Sequence, residues 1–116
     1  MAITSEIIGK LGGAEVEVTP VSGTASGIWG SEEVLHTVEV PEGETWLVAL
    51  HGNLRSNSEG NNSVQLVIGT TELPTRAPNG INSLAHVGAG TINVKLRRNT
   101  GSGSDSFTGH VYAVKL

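Results

Sequence analysis

An all-β domain, a sandwich or a small barrel of about seven to eight short strands, is what the sequence predicts. Two features predict it. Apolar and polar residues alternate in short runs, as they do on a pleated strand with one face in a core. Val outnumbers Leu, and 16 glycines with many Ser, Thr and Asn separate the runs, a mix that favours strands and turns over helices. The chain has no cysteine, so packing alone must stabilise the core. Its 116 residues suit one domain, which buries roughly two-thirds of its unfolded surface. Residues 1–13 read as an N-terminal arm and 14–116 as the β-sandwich domain.

In the arm, Ile3, Ile7 and Leu11 fall four apart, with Ser5 or Thr4 as a cap, which lines one helical face. Such a segment is too short to be stable alone, and Gly9, Gly12 and Gly13 interrupt it. It either packs on its own domain or docks on a partner. "AEVEVTPV" (14–21) alternates, with Val16 and Val18 on one face, and Pro20 moves it towards a sheet edge. "SGTASGIWGS" (22–31) reads as a loop carrying Trp29. "EVLHTVEV" (33–40) places Val34, His36, Val38 and Val40 on one face. "PEGE" (41–44) reads as a turn with Pro in its second position and Gly where positive φ is needed.

"TWLVALHGNL" (45–54) is apolar on both faces, as in a central strand covered on both sides or one at a subunit contact. A polar loop follows at 55–63. "VQLVIG" (64–69) turns Val64, Leu66 and Ile68 inward. "TTELPTRAPNG" (70–80) reads as a long ordered loop, and "INSLAHV" (81–87) as a weaker strand. "TINVKLRR" (91–98) is the cleanest alternation, with Ile92, Val94 and Leu96 inward and Asn93, Lys95 and Arg97 outward. "NTGSGSDS" (99–106) reads as a flexible tip. "FTGHVYAVKL" (107–116) is a final strand, and a chain that ends on strand residues is usually tied into a sheet.

The net charge of −4 is mild and argues against a nucleic-acid partner. Its distribution is uneven. Residues 1–50 hold eight Glu and one Lys, a net of −7, and residues 51–116 a net of +3. The two halves meet either inside one domain or between neighbouring subunits. No window reaches the ~20 apolar residues of a membrane helix, and the N-terminus lacks the basic start of a secretory signal. The chain is expected to be soluble and made in the cytoplasm.

Catalysis finds little support. His36, His51, His86 and His110 have no zinc-motif spacing and read as partly buried, satisfied strand residues. A Ser-His-Asp set would need Asp105, the lone aspartate, whose place in a polar tip is poor for a buried orienting carboxylate. Glu32-Glu33 reads as a solvated strand start. The expectation is no enzyme, no cofactor and no metal. Lys95, Arg97 and Arg98 form a small basic patch without aromatic platforms, read as a solvated face or half of a subunit contact. Trp46 reads as core. Trp29 either plugs the open end of the sandwich or is exposed for a partner or a sugar.

The arm "MAITSEIIGKLGGAEVEVTPVSG", the segment "VEVPEGETWLVAL" read as a hairpin, and the flush ending "GHVYAVKL" resemble the small virion structural proteins of tailed bacteriophages. These include head decoration (minor capsid) proteins and small tail or fibre-tip proteins. The resemblance spans most of the chain. It implies a β-sandwich or jelly roll that assembles as a trimer, caps a lattice position on the virion and carries no catalytic residues. The implied partner is the major capsid protein, with Ile3, Ile7, Ile8 and Leu11 of the arm as the anchor. Trp29, Lys95, Arg97 and Arg98 are then interface residues. The alternative is a receptor- or carbohydrate-binding module at a tail tip, using Trp29, Tyr112 and the loops 55–63 and 99–106.

Overall fold

The computed structural model describes residues 16–26, 31–56, 64–73, 80–98 and 104–116. Its eight strands are β1 (Val16–Ser26), β2 (Glu32–Glu39), β3 (Trp46–Ser56), β4 (Val64–Ile68), β5 (Thr71–Glu72), β6 (Gly80–Gly88), β7 (Thr91–Arg98) and β8 (Ser104–Lys115). They form two antiparallel sheets, ordered β1-β8-β3-β6 (sheet A) and β2-β7-β4-β5 (sheet B). The fold is therefore a β-sandwich, not a barrel. Strand β1 pairs with β8, β2 with β7, β3 with β6 and β4 with β5. That nested pairing is a long hairpin ribbon rolled up on itself, the strand order of a jelly roll.

Alternation builds the core. Val48, Leu50 and Leu54 of β3 and Phe107 and Val111 of β8 meet Val64, Leu66 and Ile68 of β4 and Ile92, Val94 and Leu96 of β7, all buried. Trp46 lies in the same core, and its indole Nε1 donates to Glu44 Oε1 at 2.9 Å. Pro20 lies on β1, an edge strand of sheet A, where a missing N–H is tolerated. The C-terminal strand β8 lies between β1 and β3. The arm (1–13), Trp29 and residues 57–63, 74–79 and 99–103 fall outside the described residues.

Several expectations are corrected. "VEVPEGETWLVAL" is no hairpin, because β2 belongs to sheet B and β3 to sheet A. Glu44 N donates to Pro41 O at 3.1 Å and Gly43 has φ 82°. Pro41 thus stands first in a turn of type II character, whose twist does not match that of paired strands, and the chain crosses between layers. Residues 22–26, read as loop, continue β1 because Ser22 to Ser26 pair with Thr108 to Ser104. Thr71 and Glu72, also read as loop, pair with Ile68 and Val67 as β5. Val34 is exposed, not inward. A register shift between Val34 and His36 leaves Leu35 opposite no residue of β7, and this bulge turns Leu35 towards the core instead.

Two glycines let the central strands of sheet A approach. Gly52 and Gly109 are opposite each other. A Cβ on Gly109 would lie 2.3 Å from the His51 carbonyl oxygen, and one on Gly52 would lie 2.5 Å from that of Thr108. His86 closes one side of the sandwich. Its Nδ1 lies 2.9 Å from Thr71 Oγ1 of the opposite sheet, and its ring packs against Gly69 and Gly88.

Candidate docking surface

The outward face of sheet A is the largest feature left over by the core. Its side chains line up in rows across all four strands. The first row is Val16, Val114, Leu47 and Val87, and the second is Val18, Tyr112, Ala49 and Ala85. A third row holds Pro20, His110, His51 and Ser83, and a fourth Ser22, Thr108, Asn53 and Ile81. None of the sixteen is Asp, Glu, Lys or Arg. The first two rows are apolar apart from one phenol, and Val87 is 53% exposed. The dual apolarity of "TWLVALHGNL" therefore has a structural meaning: Val48, Leu50 and Leu54 face the core, while Leu47 and Ala49 face outward. Val16 and Val18, read as sharing one face of a strand, belong to this outer face, and Val21 and Ala25 are the buried residues of β1.

The lower rows form a shallow open hollow of about 470 Å³ over the Gly52–Gly109 approach. His51 and His110 stand opposite each other at its middle. Both are exposed, which corrects the expectation of partial burial. His51 Nδ1 lies 2.6 Å from Ser83 Oγ, and the His110 ring centre lies 6.3 Å from that of Tyr112. No group of three or more His, Cys, Asp or Glu able to hold a metal occurs among the described residues. No helix among them is long and apolar enough to cross a membrane.

The basic patch is divided by the fold. Lys95 and Arg97 lie on the outer face of sheet B, each 3.0 Å from a different oxygen of Glu32. Arg97 also donates to Glu72 at 2.9 Å. One network thus crosses β2, β7 and β5, and the acidic and basic halves of the chain meet within one subunit. Lys115 and Glu44 form another such pair at 3.5 Å. The hydrogen bonds from Lys95 and then Arg97 hold the Glu32 carboxyl below its ordinary 4.5, against the opposing effect of burial. Those from Arg97 to Glu72 and then to Glu32 push its guanidinium above its ordinary value. Glu32 is committed to structure.

Arg98 is not part of any surface patch. It ends β7 fully buried and donates from Nη1 to the buried Asp105 at the start of β8. Asp105, placed by sequence in a solvated tip, is 1% exposed. The reason is the crossing from sheet B to sheet A between β7 and β8: the two ends of that connection face each other between the layers. Arg98 follows Ile92, Val94 and Leu96 at the next inward position, and that alternation was the signal that it points in.

Comparison of the chain with protein-family models, curated proteins and solved structures finds no match.

Proposed function

We propose that this chain is a virion structural module of the head decoration type, which binds the major capsid protein and strengthens the shell. The observation that carries a docking role is the uncharged outer face of sheet A. A monomer seldom leaves a contiguous apolar patch of more than a few hundred Å² in water, and such patches mark contact sites. The phage setting is supported by the resemblance in the arm, the Val-rich strands and the C-terminal strand. The paired charges of sheet B leave that second face well solvated and suited to point outward. Co-sedimentation with empty capsids tests the reading. Leu47→Asp, on an exposed face, should fold yet lose at least about tenfold in capsid affinity, because a carboxylate would be buried without a partner. Deleting residues 1–11 should also weaken binding if the arm anchors the module. Undiminished binding by both variants would overturn the proposal.

The second reading, a receptor- or carbohydrate-binding module at a tail tip, is favoured by the hollow. His51, Asn53, Thr108 and His110 offer hydrogen bonds there, with Tyr112 beside them as a flat apolar surface. A glycan array separates the two readings, since a decoration protein should bind no glycan.

A further inference from the structure

We infer that β6 is a self-pairing edge, through which two copies of this chain join across a two-fold axis into one continuous eight-stranded sheet. An edge strand exposes a row of backbone donors and acceptors. Natural edges are guarded by Lys, Pro, a bulge or brevity. The other long edge of sheet A, β1, contains Pro20. In sheet B, β2 carries three glutamates and a bulge, and β5 has two residues. The β6 strand, "GINSLAHVG", is nine residues long and has no Pro, no charged residue and no register shift against β3. Among the described residues, no strand covers its outer side.

The side chains match a second copy. Among the described residues, Ile81 and Val87 are two of the four exposed large hydrophobics, at 65% and 53%, and both project from the outward face of β6. Antiparallel pairing centred on Leu84 sets Ile81 opposite Val87 of the second copy, and Ser83 opposite its Ala85. On the inward side, Asn82 meets His86. Both exposed hydrophobics thereby gain a cross-strand apolar neighbour, and no like charges face each other. An isologous interface requires this kind of self-match. Nine residues extend about 30 Å and the molecule is 18 Å across its shortest axis. The joined edges then cover about 1,000 Å² in total, the lower bound for a specific interface. Pairing there also extends the uncharged outer rows of sheet A from four strands to eight.

The inference concerns the protein alone in solution, so it stands or falls independently of capsid binding. Sedimentation over a micromolar range should give twice the 12.0 kDa chain mass. The double variant Ile81→Lys with Val87→Lys sets ammonium against ammonium twice per dimer. It should raise the dissociation constant at least about tenfold while its circular dichroism stays that of the parent. Because the chain has no cysteine, a mixture of Ser83→Cys and Ala85→Cys proteins should oxidise to a disulfide-linked heterodimer faster than either protein alone. A monomer throughout, a mass of three chains, lysine variants that keep the parent mass, or no preference for the mixed disulfide would each overturn the inference.

Discussion

Asp105 and Arg98 show how much one side-chain pair can decide. Both are buried and the guanidinium donates to the carboxylate, so removing one partner leaves the other charge in a low-dielectric interior. Asp105→Ala should lower unfolding free energy by about 3–5 kcal/mol, read from urea denaturation. Gly109→Ala should cost about 1–3 kcal/mol, because the added methyl meets backbone that cannot yield easily. Glu32 sits at the opposite extreme. It is partly exposed and bound to two cations, so its pairs contribute only about 0.2–1 kcal/mol. Its folded pKa is depressed below 4.5. The stabilisation is therefore complete above the unfolded value and fades as pH falls through the lower folded one. Glu32→Gln should be less stable than the parent at pH 7, with the gap closing below about pH 4 in thermal melts at matched salt.

At the level of elements, the strands of the core were legible because their alternation is regular. Ile92 to Leu96 and Val64 to Ile68 state their inward faces outright. What stayed hidden depended on long-range pairing. Leu35 belongs to the core only because a bulge adds a residue to β2, and nothing in "EVLHTVEV" marks that. Val16 and Val18 could be assigned to one face but not to the outer one, because alternation reveals two faces without saying which is covered. The Pro-Glu-Gly-Glu turn was recognised as a turn, yet whether its flanking strands pair or part is set by the sheets they join. Deleting Leu35 tests the bulge: the pairs Glu32–Arg97 and Val34–Lys95 would then run on into His36–Val94 in one regular register, leaving Glu32 on the outer face beside Lys95 and Arg97. The variant should lose about 2 kcal/mol or more through the missing Leu35 packing, while its stability keeps its response to the protonation of Glu32.

For the whole molecule, the alternation and the Val- and Gly-rich composition foretold an all-β sandwich. The opposite charges of the chain halves foretold an electrostatic contact, which the fold resolves inside one subunit. The uncharged outer face of sheet A was half legible, since the two-sided apolarity of β3 announced it, but its extent required the registers of β1, β6 and β8. The nested order has one more consequence. Strand β8 lies between β1 and β3 and supplies Phe107 and Val111 to the core. During synthesis, sheet A therefore lacks its middle until β8 emerges from the ribosome. The nascent chain must carry its valines unsatisfied until β8 has emerged, and closure is then a slow, all-at-once event.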